Sequence, residues 1–109
     1  MKNKGLGEFE ELVLLAVCIL DKEAYGLSVK REVEKHSGRS ILLGAVHITL
    51  YRLQDKGLLR SEMGGNTEKR GDRRKRLFTI TDAGMRQLRA AQDVRRKMWQ
   101  LIPQLKLGL

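Results

Sequence analysis

Apolar positions recur with helical spacing from the start of the chain. Phe9, Leu12, Val13, Ala16, Val17 and Leu20 fall on one face of a predicted helix from Glu8 to Leu20. The opposite side is apolar too: Leu14, Leu15, Cys18 and Ile19 leave it no polar face. A helix apolar all round must be covered on all sides. A chain of 109 residues has little left to do so, and a second copy of it is the expected cover. Leu27, Val29 and Val33, set against Lys30, Arg31, Glu32, Glu34 and Lys35, predict an amphipathic second helix over Ala24 to His36, which Gly38 is placed to stop. Ser40-Ile41-Leu42 reads as a very short strand. A third helix is expected from Leu43 to Lys56, closed by Gly57. Its Val46, Leu50 and Leu53 point inward at i, i+4 and i+7, with Thr49 on the core flank. Its far side carries Gly44, Ile48, Tyr51 and Asp55, flanked by His47 and Arg52. That is no ordinary wet face, because Ile48 and Tyr51 are large.

The period then changes. Leu58 to Met63 and Arg74 to Ile80 read as two strands, with Gly64, Gly65, Asn66 and Gly71 supplying turn chemistry between them. Thr81 is the expected N-cap of a last helix, with Asp82 in its first turn, running to about Ile102 before Pro103. Ala91, Val94, Met98, Leu101 and Leu105 are spaced as a short heptad seam, interrupted near its end by Pro103. The expected fold is therefore mainly α with a small β-hairpin: a winged helix-turn-helix over residues 1–80 and a C-terminal dimerisation helix over residues 81–109.

Charge sharpens this picture. The net charge is +9, and residues 69–76 alone hold six cations and one aspartate, or +5. Arg70, Arg73, Arg74, Lys75 and Arg76 thus crowd the hairpin tip, where they repel one another. A partner with denser negative charge offsets that repulsion, and duplex DNA carries a phosphate every ~1.7 Å of axis. Gly44 and Ala45 permit close approach of the third helix to a groove floor, Ile48 can meet a thymine methyl, and Arg52 can reach a phosphate or guanine.

Other chemistries find little support in the residues. Apolar residues at 41% and charged residues at 32% favour a packed core over disorder. The single cysteine, Cys18, allows no internal disulfide and reads as packing. His36, His47 and Cys18 are too few and scattered for a zinc set. No nucleophile has a nearby base, and no glycine loop cradles phosphate, so neither an enzyme nor a cofactor is expected. The apolar run Val13 to Leu20 is less than half of the roughly 20 residues that span a membrane. The opening MKNKGLGEFEE is too acidic for a signal peptide. A cytoplasmic protein follows.

Four blocks in order, LGEFEELVLLAV, EAYGLSVKREVEKHSGR, LGAVHITLYRLQDKGLL and RGDRRKRLFTITDAG, span residues 6 to 84. In these the chain resembles the PadR family of bacterial transcriptional regulators, in its short form with one C-terminal helix. The resemblance implies a homodimeric repressor that binds a palindromic operator with the third helix and the wing. It implies dimerisation through the first and last helices, here Phe9, Leu12, Leu15, Ile19, Ala91, Val94, Met98 and Leu101. It also implies a phosphate contact at Tyr25, and a small hydrophobic inducer held by Trp99 with Met98 and Leu15. Two positions depart from the family pattern. His47 stands where a backbone-contacting tyrosine is usual, and Leu42 where a small polar cap is usual, a loss of about 1 kcal/mol. Two other classes fit the charge: a basic RNA-binding or ribosome-associated module, and a winged-helix protein-interaction module. The first would need exposed aromatics on a sheet or a face shaped for double-stranded RNA, and aromatics are only 5% of the chain. Binding to random duplex at low salt separates the second.

Overall fold

A computed structural model describes residues 5–64 and 75–103. Helices α1 (Glu8–Leu20), α2 (Gly26–Ser37) and α3 (Leu43–Asp55) precede strands β1 (Leu59–Gly64) and β2 (Lys75–Ile80), and helix α4 (Asp82–Gln100) follows. A single 3-10 turn, Asp21–Glu23, joins α1 to α2. The strands pair antiparallel, from Leu59 opposite Ile80 to Gly64 opposite Lys75. The fold is a winged helix, mainly α with one hairpin.

The inward positions of each element meet in one core. Val13, Leu14 and Val17 of α1, Val29 and Val33 of α2, and Val46, Leu50 and Leu53 of α3 close on Leu58, Leu59, Phe78 and Leu88. Leu14 departs from the sequence expectation. It was assigned to the side needing foreign cover, yet it is fully buried within one chain. Its neighbour Cys18 is half-buried, and burial pushes its thiol pKa up. Only Leu15 and Ile19 of that side stay exposed.

Hydrogen bonds explain two further differences. The expected strand at Ser40–Leu42 is absent, because the edge of β2 is already taken: the Phe78 N–H donates to the Ala24 carbonyl at 2.8 Å. The Ile41 N–H turns instead to Glu34 Oε2 at 2.9 Å. Helix α2 starts two residues later than expected, at Gly26, because Ser28 Oγ accepts from the Tyr25 N–H at 2.9 Å and makes Tyr25 the N-cap residue. At α1 the equivalent contact comes from Glu10, whose Oε1 accepts from the Gly7 N–H at 2.9 Å.

Helix α4 begins as the sequence predicts. Thr81 Oγ1 accepts from the Gly84 N–H at 3.0 Å and donates to the Gly57 carbonyl at 2.7 Å. Only Gly84 and Leu88 of α4 are buried. The rest runs outward, which stretches the molecule to 58 × 33 × 21 Å. No described helix is long and apolar enough to cross a membrane.

Candidate nucleic-acid interface

Helix α3 is pinned from behind. Val46, Leu50 and Leu53 are wholly buried, and Thr49 joins them at the core flank, as expected. Its far side, with Gly44, Ala45, Ile48, Tyr51, Arg52 and Asp55, is exposed. Tyr51 is partly committed inward: its ring meets Phe78 edge-on, with centroids 5.7 Å apart. Leu42 occupies the N-cap in extended conformation and gives no side-chain hydrogen bond to the helix. Where the sequence reading noted only a missing cap, the structure adds that this leucine is 78% exposed. No hydropathy pattern signals that, because Leu42 lies between elements.

At one end of α3 two elements meet the hairpin. His47 lies against Gly26 at the start of α2; a Cβ on Gly26 would stand 2.5 Å from His47 Nε2. The bare glycine is what admits the imidazole. Beside it, the Lys75 ammonium sits 4.2 Å from the centre of the Tyr25 ring, within cation–π range. The candidates Tyr25, His47 and Lys75, far apart in sequence, are thus tied to the junction of α2, α3 and β2. The spacing of the sequence held no signal for the Lys75–Tyr25 contact. Arg76 is turned differently: it is half-buried, and its Nη1 donates to Ser61 Oγ at 3.0 Å. Ser61 Oγ in turn donates to Gln54 on α3. Arg76 thereby braces the hairpin against α3. Arg70, Arg73 and Arg74 lie outside the described residues.

A buried carboxylate locks the far end of α3. Glu10 of α1 accepts from Lys56 Nζ at 2.9 Å through Oε2. Burial pushes its pKa up, but the Gly7 N–H, Lys56 and Arg52 outweigh this and hold it below the usual carboxylate value. Between α2 and α3, Glu34 takes the Ile41 N–H and both its oxygens meet Lys30 at 3.1 Å, which lowers its pKa as well. Helix α3 is therefore fixed at both ends by charge-assisted bonds, which are stronger than neutral ones.

A second surface lies on the α1–α4 side. Leu15, Ile19, Val94, Met98, Trp99 and Leu101 are exposed, while Phe9, Leu12 and Ala91 are half-buried. Leu12 and Leu15 border a hollow of about 460 Å3 between α1 and α4, floored by Leu88 and rimmed by Glu8, Glu11 and Arg95. Met98 and Trp99 border a different one of about 310 Å3 with Ile102. Among the described residues these two hollows hold Leu15 apart from the Met98–Trp99 pair. Leu105 lies outside the described residues. Among the described residues no group of three His, Cys, Asp or Glu could hold a metal ion.

Comparison with curated protein sequences gives no match. Solved structures do match in fold. The crystal structure of a PadR-like transcriptional regulator from Bacillus cereus strain ATCC 14579 superposes with a TM-score of 0.70 at 18% identity, over 84% of each chain. A PadR family transcription regulator from Clostridium difficile R20291 gives 0.67 at 24% identity, over 85% of this chain and 93% of that one. F93 from STIV, a winged-helix DNA-binding protein, gives 0.69 at 17% identity, over 87% and 95%. Residues 14–90 match the model of the transcriptional regulator PadR-like family. That span runs from the middle of α1 through the hairpin into α4, most of the chain, and by it the chain belongs to the PadR-like family of transcriptional regulators.

Proposed function

We propose that the protein is a cytoplasmic homodimeric repressor that binds a palindromic site on duplex DNA. In this reading residues 1–80 form the DNA-binding part and residues 81–109 the dimerisation helix. The observation that carries it is the exposed face of α3, locked at both ends and bordered by the basic hairpin. The exposed apolar stripe of Val94 and Met98 on α4 and Leu101 at its C-cap supports the dimer. A helix so lightly covered by its own chain draws most of its stability from packing elsewhere. Two α3 helices would enter successive major grooves about one turn, ~34 Å, apart. Lys75 and the arginines at 70, 73 and 74 would hold phosphates, and Arg76 would set the angle of the hairpin. A flat hydrophobic molecule lodged beside Trp99 between two protomers would change that spacing and release the DNA.

Fluorescence anisotropy against a duplex chosen from a random pool tests this. Affinity should fall steeply with salt, and the slope of log affinity against log salt should shrink by about 1 for each phosphate contact removed. Lys75→Ala should lower the slope by about that much per protomer, with little change in sequence preference. An unchanged slope would remove Lys75 from the interface.

A further inference from the structure

The entry end of α3 has an unusual surface. Its exposed side chains there are Leu42, Leu43, Ala45 and Ile48, with bare Gly44 among them. His47 is the polar exception, and its ring lies against Gly26. Leu42 and Ile48 are 78% and 62% exposed. No side chain here carries the paired donors or acceptors that read guanine or adenine edges. The leucine at the cap also displaces a residue that would hydrogen-bond the free N–H groups of the helix, so the position costs the fold stability. Nor is its exposure slack: the Ile41 N–H is clamped by Glu34, which Lys30 braces.

Charge says what could cover such a patch. Arg52 is exposed further along the same helix, Lys75 stands at the hairpin root, and the hairpin sequence beyond it is densely cationic. Two acids on neighbouring helices are paired, Glu34 with Lys30 and Glu8 with Arg39, and Asp55, the acid on the exposed face of α3, lies at its far end. An apolar patch beside these cations suits a polyanion with an apolar floor. In the major groove of duplex DNA the one apolar group on a base edge is the C5-methyl of thymine. We infer that Leu42, Ala45 and Ile48 are specificity-determining residues that read thymine methyl groups, so the preferred half-site carries thymines where the start of α3 enters. This rests on the DNA-binding reading above, and it names what that face recognises.

The test replaces thymine by uracil, which keeps every hydrogen-bonding edge and deletes only the methyl. Sites selected from random duplex should carry thymine at two or more positions of each half-site. Each thymine-to-uracil change there should weaken binding roughly fourfold, the factor for returning one methyl-sized group to water. Leu42→Ser should bind thymine and uracil versions more nearly alike, leave the salt slope unchanged, and raise the thermal midpoint by restoring a cap. Ile48→Ala should also compress the thymine-to-uracil ratio. Selected sites without thymine, or equal affinity for the two versions by a protein that still binds duplex, would overturn this inference and leave the DNA-binding reading intact. Failure to bind any duplex at low salt would overturn both.

Discussion

Two glycines on helices make a controlled experiment. A Cβ built on Gly84 would stand 2.2 Å from the Leu58 carbonyl oxygen, 3.1 Å from its carbon, and 2.7 Å from Ile80 Cγ1. A Cβ on Gly44 meets nothing within 4 Å. Both are Gly→Ala changes in a helix, which by propensity alone stabilise by up to about 1 kcal/mol. At Gly84 the obstacle is backbone and cannot swing aside. Normal contact distance requires α4 to retreat from the β1 root by on the order of 1 Å. That motion would stretch the Thr81 N–H bond to the Leu58 carbonyl, now 3.0 Å, and the Thr81 Oγ1 bond to Gly57, now 2.7 Å. Each bond is worth about 1 kcal/mol net, and overpacking adds about 1–3 kcal/mol. With the propensity gain set against these, Gly84→Ala should destabilise by about 2–4 kcal/mol. Urea denaturation at fixed protein concentration measures it, since a dimer's midpoint depends on concentration. Gly44→Ala should be neutral or more stable. If Gly84→Ala proves as stable as Gly44→Ala, α4 does not rest on the β1 root as described.

Two further outcomes follow from named contacts. Glu10 is nearly buried and its pKa is lowered, so its contribution to stability is complete above the unfolded value near 4.3 and is lost as pH falls through the folded one. Glu10→Gln should cost on the order of 1–2 kcal/mol at pH 7, with the difference from the parent shrinking below about pH 4.3 in thermal melts; a difference that stays constant to pH 3 would refute the pairing. Met98→Glu with Leu101→Glu should turn the proposed dimer into monomers in sedimentation, because both side chains are exposed at the outward end of α4, and an unshifted mass would refute that assignment.

Much of the architecture was legible because it depends on period and punctuation. The inward triplet of α3, the Thr81 cap and the two strands each rest on local chemistry written in consecutive residues. What the sequence withheld depends on partners far along the chain. Leu14 looked surplus on a helical wheel, but a wheel shows directions and not neighbours, and core residues from other elements cover it. The Ser40–Leu42 strand had strand-like residues and lost its pairing edge to Ala24. Lys75 was one cation among six by composition; only the fold sets it over Tyr25 and turns Arg76 toward Ser61.

The two exposed apolar surfaces differ in what surrounds them, and that difference separates their roles. Around α1 and α4 both signs of charge appear, and two pairs form within the chain: Arg95 meets Glu11, and Arg96 meets Asp93. Charges of both signs, paired at two points, let a copy related by a two-fold axis approach this rim. Around the start of α3 Glu34 and Glu8 are paired, and Arg52 and Lys75 add positive charge. Two such patches would repel each other, so self-association is the wrong use for them. The same residue type, an exposed leucine, therefore points to a second protomer at Leu101 and to a polyanion at Leu42. Charge at the rim, rather than hydrophobicity at the centre, decides between the two.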